Sequence, residues 1–176
     1  SFTTLAEADV SIASSHGTTI PVSGVYTMLV GTVFTNRVQT PDTRGTTQYV
    51  CTGWTMTGNE PAGGSGTQVV MTVTNDAVLT WLWRTNCFLE ATAGAHGIVV
   101  GGNGWVALGV TTQLFALADS CYHFTNWSDS ASGSDNPLNV LMDGAKLVTA
   151  NFTANWTTNK PTPEWWLVEY GITNHF

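Results

Sequence analysis

Most of the chain alternates apolar and polar residues with a period of two, and Val, Thr and aromatic residues dominate the alternating segments. This pattern is typical of β-strands that have one buried and one solvated face. Over residues 147–152, for example, Val148, Ala150 and Phe152 share one face, and we expect that face to point inward. The Gly-rich stretch 61–66 is predicted to be a surface loop. The pattern predicts an all-β fold.

Two short polar dipeptides lie between pairs of strand-like segments. Asn75-Asp76 joins the segment before it to a Trp-rich segment after it, and Asp143-Gly144 does the same near the C-terminus. Residues of these types accept the positive φ that tight β-turns require. We therefore predict two β-hairpins, one at each dipeptide.

The sequence contains an internal repeat. The dipeptide His16-Gly17 recurs as His96-Gly97, and other motifs recur downstream in the same order. This register predicts four segments: an N-terminal arm at 1–7, a first β-module at 8–86, a second β-module at 87–154, and a linker with a short helix at 155–176. Each module is predicted to be a small β-sheet unit, either β-grasp-like or sandwich-like.

Matched positions of the repeat are predicted to form the core. Trp54 in the first module corresponds to Trp127 in the second, and Trp83 corresponds to Phe152. An aromatic residue that keeps its place in both copies is better explained by packing than by exposure to a ligand. We expect these four residues to be structural.

The C-terminal segment changes pattern and predicts a short helix. Thr162 is the expected N-cap, Pro163 the first helical residue and Gly171 the residue just past the end. A helix this short is not stable alone, so we expect Trp165 and Trp166 to dock on the second module or on a neighbouring molecule.

Composition excludes two classes of partner. The protein has 176 residues, of which only 10% are charged, and its formal net charge is −7. Five Lys and Arg residues are scattered singly, which argues against binding nucleic acid or an anionic membrane surface. No apolar run approaches the roughly 18 residues that a membrane span needs. Polarity comes mainly from Thr, Ser, Asn and Gly, so we expect an extracellular or cell-surface protein.

The three cysteines, Cys51, Cys87 and Cys121, form no Cys-x-x-Cys pair. Neither a zinc ribbon nor a dense disulfide framework is therefore indicated, and at most one disulfide can form. Buried thiols that pack as small apolar groups are the favoured interpretation.

The second module resembles the divergent internalin-B-type B repeat, and the first module resembles it less closely. The resemblance lies in these segments: Gly97, 103–105, 110–118, 122–128, 136–144 and 148–152. The first copy departs from the pattern at Cys51, where an aromatic residue is expected, and through the inserted residues 41–47. The resemblance implies a mostly non-catalytic spacer, adhesin or stalk module of a bacterial extracellular protein. The segment 162–167 resembles a linker that often follows such modules.

Beyond this resemblance, the sequence contains few candidate catalytic or metal-binding residues. His16 and His96 occupy equivalent positions and could suggest metal ligands, but no second His or carboxylate stands at the spacing that would complete a site. A repeated turn motif is the simpler explanation. Neither a Gly-x-Ser-x-Gly elbow nor a cysteine protease motif occurs, so we expect no catalytic residues, no metal and no cofactor.

The remaining aromatic residues form the candidate interaction surface. Its members are Trp105, Trp156, Trp165, Trp166 and Tyr170. Exposed aromatic faces can stack on sugar rings, although core or interface packing is favoured. Among three N-glycosylation sequons, the one at Asn155 is expected to be the most accessible.

Two functional hypotheses follow from these observations. The first is a structural or adhesive module that contacts copies of itself or neighbouring domains, as a subunit of a self-associating filament. Under this hypothesis, copies of the protein associate with one another through residues 1–10 or 155–176. The alternative is a carbohydrate-binding module that uses exposed Trp side chains.

Overall fold

The computed structural model of the protein describes residues 5–158 and 161–172. Residues 1–4 of the predicted N-terminal arm lie outside this description, as do residues 159–160 and 173–176 of the C-terminal segment. The chain divides into two compact units, Ser1–Asn86 and Cys87–Phe176. The structure is mostly β-sheet, with 59% of residues in strands and 4% in one short helix near the C-terminus, which confirms the predicted fold class.

The strands and the helix follow one another in this order: β1 (Glu7–Ala13), β2 (Thr19–Ile20), β3 (Gly24–Leu29), β4 (Val33–Val38), β5 (Asp42–Arg44), β6 (Thr47–Thr57), β7 (Gly63–Gly64), β8 (Gln68–Thr72), β9 (Ala77–Ala93), β10 (Gly97–Val100), β11 (Gly104–Ala107), β12 (Thr111–Ala118), β13 (Tyr122–Asp129), β14 (Leu138–Leu141), β15 (Lys146–Ala154) and α1 (Glu164–Glu169).

The first unit contains two sheets. In one sheet, β1 pairs antiparallel with β3 and parallel with β9, with Val10 opposite Ala77 and Ile12 opposite Leu79. β9 also pairs with β6, and the short strands β5 and β7 each pair antiparallel with β6. The other sheet has the antiparallel order β2-β4-β8.

The second unit repeats these pairings, apart from those of the short strands β5 and β7. Residues 89–93 of β9 pair parallel with β15, and β9 also pairs with β11. β15 pairs antiparallel with β13, and the other sheet has the antiparallel order β10-β12-β14. Each pairing has its counterpart in the first unit, so the two units share one topology.

In each unit the two sheets share one apolar core. In the first unit, Val10 of β1 and Leu79 of β9 are fully buried, and they cluster with Phe34 of β4 and Met71 of β8, which come from the opposite sheet. Each buried side chain of this size contributes roughly 1.5–3 kcal/mol to the stability. The first unit is therefore a β-sandwich.

The core of the second unit is built in the same way. Leu89 of β9 and Val148 of β15 are fully buried in one sheet, and Leu114 of β12 and Val140 of β14 face them from the other. Ala150 is also fully buried, as the alternation along β15 predicts. The second unit is a β-sandwich with the same pattern of buried strands.

The two predicted hairpins are wrong. The strands on either side of Asn75-Asp76 are β8 and β9, and β8 pairs with β4 whereas β9 pairs with β1. The strands around Asp143-Gly144 are β14 and β15, which likewise pair with different partners. Each dipeptide thus carries the chain from one sheet of the sandwich to the other. Gly144 does not adopt the left-handed conformation that a type I′ hairpin needs.

The helix begins one residue later than predicted. Pro163, not Thr162, is the N-cap, because its ψ of 131° keeps it extended. Pro163 forms an isolated antiparallel bridge with Trp156, and the N–H of Glu164 donates to the carbonyl of Asn155 at 2.9 Å. This pairing holds the chain extended up to the first helical residue.

The predicted helix end is confirmed. Gly171 has φ +70° and follows the C-cap. Its N–H donates to the carbonyl of Val168, and the N–H of Ile172 donates to the carbonyl of Leu167. These two bonds form a Schellman motif, which provides hydrogen-bond donors to carbonyls that have no partner within the helix.

Candidate interaction surface

The C-terminal segment exposes four aromatic side chains, which we call the C-terminal aromatic surface. Their exposed fractions are 55% for Trp156, 40% for Trp165, 39% for Trp166 and 63% for Tyr170. Trp165 and Trp166 are thus partly exposed, and their docking on the second module or on a neighbouring molecule stays a prediction. Leu167, only 6% exposed, is the residue that the helix buries.

Local geometry orders this surface. The bridge between Trp156 and Pro163 folds the segment back on itself, and the helix follows at once. Trp166 and Tyr170 stand four residues apart and so share one helix face, with ring centroids 4.7 Å apart. The surface is thus a set of positioned rings on a folded segment.

The charge on this segment is negative. Glu164 lies in the first turn of the helix, Glu169 lies at its end, and the last turn carries no basic residue. A carboxylate in the first turn is stabilised by the positive end of the helix dipole. A partner of this surface therefore meets aromatic faces flanked by carboxylates.

Trp105 lies apart from these four residues along the chain. It belongs to β11, is half-buried, and packs edge-on against Phe88 with ring centroids 5.2 Å apart.

Of the four predicted core residues, two are buried and two are partly buried. Trp54 and Trp127 are buried, with 5% and 1% exposed, and the indole N–H of Trp127 donates to the carbonyl of Asp135 at 2.8 Å. Trp83 and Phe152 are partly buried and pack against the cores of their units.

A repeated aromatic pair was not anticipated. The imidazole ring of His16 stacks on Tyr49 with centroids 3.5 Å apart, and His96 stacks on Tyr122 with centroids 3.8 Å apart. The signal was present in the repeat register, since Tyr49 and Tyr122 begin a matched motif downstream of each His-Gly. The sequence alone predicts these histidines as residues of a repeated turn.

The glycine after each histidine makes room for an aromatic ring. A Cβ on Gly17 would lie 2.6 Å from the Cη2 atom of Trp83, and a Cβ on Gly97 would lie 2.6 Å from the Cε1 atom of Phe152. The His-Gly dipeptides, Trp83 and Phe152 thus form the same packing unit twice.

The sequon residue Asn155 is half-buried in the same region. Its Oδ1 atom lies 2.7 Å from the Nδ1 atom of His123, and its backbone bonds to Cys121 and Glu164. Its glycosylation stays a prediction.

The cysteines are free thiols. Cys87 is buried, and Cys51 and Cys121 are partly buried. Within residues 5–158 and 161–172, no group of three or more His, Cys, Asp or Glu side chains could hold a metal ion. In the same ranges, no helix has the length and apolarity needed to cross a membrane.

Comparison with known protein families finds one match, within the second unit. A family model described as "Divergent InlB B-repeat domain" matches residues 88–156. This family is typical of bacterial surface proteins and is generally non-enzymatic. No curated protein and no solved structure matches the chain.

Proposed function

We propose that the chain is a non-catalytic structural or adhesive part of a bacterial secreted or cell-surface protein, built from two tandem B repeats. The observation that carries the proposal is the family match over residues 88–156, which covers most of the second unit. The first unit supports a second copy because it has the same strand pairings, the same His-Tyr stack and the same glycine-aromatic contact.

Self-association is the mode of action that the C-terminal aromatic surface supports. Trp165, Trp166 and Tyr170 are large apolar groups held in water by a folded segment, and aromatic side chains are enriched in protein interfaces. Copies of this chain or neighbouring domains of a longer protein are the proposed partners, and a filament is the assembly that repeated contacts would build.

Light scattering over a range of concentrations tests this proposal. The wild-type protein is expected to gain mass with concentration, and replacing Trp165 and Trp166 together by Ser is expected to abolish that gain. Phe115→Ser is the matched control, since Phe115 is 41% exposed on β12. A wild-type protein that stays monomeric at high concentration would contradict self-association while leaving the repeat assignment intact.

Carbohydrate binding is the second candidate function, and the exposed indole rings of Trp156, Trp165 and Trp166 favour it. Such rings can stack on the apolar faces of sugars. Titration with a panel of soluble polysaccharides is expected to quench Trp fluorescence, and the quenching should be lost in Trp156→Ala. Unchanged fluorescence across the panel would count against this function.

A further inference from the structure

The first unit carries a small polar cavity beside an inserted loop. Between β4 and β6 the chain runs through residues 39–46, which include β5, whereas the matching connection between β12 and β13 spans only residues 119–121. Insertions in repeat proteins map to loops and often form a binding face. The cavity of about 240 Å³ lies at this inserted loop, next to the turn that contains Gly17.

An ion pair organises one wall of the cavity. The Arg44 guanidinium donates to both carboxylate oxygens of Asp42, at 3.4 Å from Nε and 2.9 Å from Nη2. Asp42 also accepts from the N–H of Gly17 at 3.1 Å. Arg44 lies over the ring of Tyr49 with its Cζ atom 5.9 Å from the centroid. These contacts fix the position of both charged groups before any ligand arrives.

The cavity still offers hydrogen-bonding groups. Only two of the five N–H donors of Arg44 are used by Asp42, and the Arg44 side chain is 65% exposed. Gln39 and Thr18 are exposed residues of the same lining, and their side chains carry a carboxamide and a hydroxyl. Hydroxyl, carboxamide, carboxylate and guanidinium groups together supply donors and acceptors at close spacing.

The ligand class follows from charge and size. Because Asp42 and Arg44 neutralise each other, the cavity does not favour an anion, which needs uncompensated positive charge. A ligand whose hydroxyls both donate and accept fits a mixed wall. The volume is below the 300–1,000 Å³ that pockets for drug-sized ligands occupy, so it suits a single sugar ring.

We propose that this cavity, built by Gly17, Thr18, Gln39, Asp42 and Arg44, binds one neutral sugar residue of a glycan. The site belongs to the first unit and does not use the C-terminal aromatic surface, so it stands or falls separately from self-association. It would give the first repeat a recognition role that the shorter loop of the second repeat does not have.

NMR titration of the full chain tests the proposal. The probes are glucose, galactose, mannose, N-acetylglucosamine and fucose, with inorganic phosphate as the anionic probe. At least one sugar is expected to shift the amide signals of Gly17, Thr18 and Gln39 and the Nε–H signal of Arg44, with a dissociation constant on the order of 1 mM. Arg44→Gln is expected to weaken that binding about tenfold.

Two further variants keep the test decisive. Gln39→Ala removes a cavity group without disturbing the ion pair and should also weaken binding, whereas Arg84→Gln removes an exposed arginine of β9 and should not. The proposal is overturned if no sugar shifts these signals up to concentrations on the order of 50 mM. It is equally overturned if phosphate alone shifts them, or if Arg44→Gln and Gln39→Ala both bind sugar as the wild type does.

Discussion

The imidazole ring of His96 lies flat on the phenol ring of Tyr122, with centroids 3.8 Å apart and 9° between the planes. His96 adopts φ +71°, a left-handed conformation that is uncommon for residues other than glycine. The stack holds a strained turn in place at the start of β10. The equivalent pair in the first unit, His16 and Tyr49, shows that the contact belongs to the repeat.

Removing this stack should destabilise the second unit. Tyr122→Leu keeps an apolar side chain but loses the ring, and we expect the free energy of unfolding to fall by about 1 kcal/mol. Urea unfolding followed by Trp fluorescence provides the measurement. Adding His96→Ala to this variant should cost less than His96→Ala costs alone, because the contact is then already absent. Fully additive effects would show that the rings do not interact.

Adding one methyl group beside Phe152 should be costly. Gly97→Ala places a Cβ against the ring of Phe152, and we expect a loss of about 1–3 kcal/mol from overpacking. Gly144→Ala is the control, since no atom lies within 4 Å of its Cβ position, and it should change stability by no more than about 0.5 kcal/mol. Combining Gly97→Ala with Phe152→Leu should recover part of the loss. Equal effects of the two glycine substitutions would contradict the packing argument.

A buried polar pair in the first unit should behave as a coupled unit. The indole N–H of Trp81 donates to the Oδ1 atom of Asn36 at 2.9 Å, and the Nδ2 group of Asn36 donates to the carbonyl of Pro21. Either Asn36→Leu or Trp81→Phe leaves a buried group unpaired, so each should cost about 1–3 kcal/mol. The double variant should cost less than the sum of the two, and additive losses in a thermal unfolding series would refute the coupling.

The pH behaviour of Asp42 should report the ion pair in the cavity. The hydrogen bond from Arg44 holds the pKa of Asp42 below its ordinary value of 3.8, and the Gly17 N–H acts in the same direction. Because the folded pKa is lowered, the stabilisation is present above the unfolded pKa and is lost as pH falls through the folded pKa. This places the loss below pH 3.8.

A carboxyl carbon NMR titration measures this directly. In the wild type the midpoint of Asp42 should fall below 3.8, and Arg44→Gln should raise it toward that value. Asp143 is an internal control, because Lys146 lowers the pKa of Asp143 independently. A midpoint of Asp42 that does not move in Arg44→Gln would contradict the assigned cause.

The sequence predicted the fold class and the core positions that depend on local alternation. Val148 and Ala150 alternate with polar residues, and both are fully buried. The partners of the strands were not predictable in the same way. Asp143-Gly144 has the residue types of a hairpin, but the same residues also suit a turn that crosses between sheets, and only tertiary pairing distinguishes the two.

The cavity could not be predicted from the sequence either, because it depends on contacts between distant segments. The repeat register marked residues 41–47 as an insertion, yet nothing local indicated that Arg44 would bond to Asp42 while Gly17, from another turn, donates to the same carboxylate. The helix shows the opposite case, since Gly171 signals the helix end through its own backbone preference. The helix end was readable from the preference of one residue, whereas the cavity also depends on Gly17, which lies 25 residues from Asp42 in the chain.

The parallel pairing of the first and last strands has a mechanical consequence for each unit. In the first unit Val10 to Ala13 run beside Ala77 to Thr80 in the same direction. A force that pulls apart the two ends of the unit therefore acts along these strands and shears all of their hydrogen bonds at once, instead of opening them one by one. The second unit is joined in the same way through β9 and β15, so we expect each sandwich to resist tension applied to its two ends.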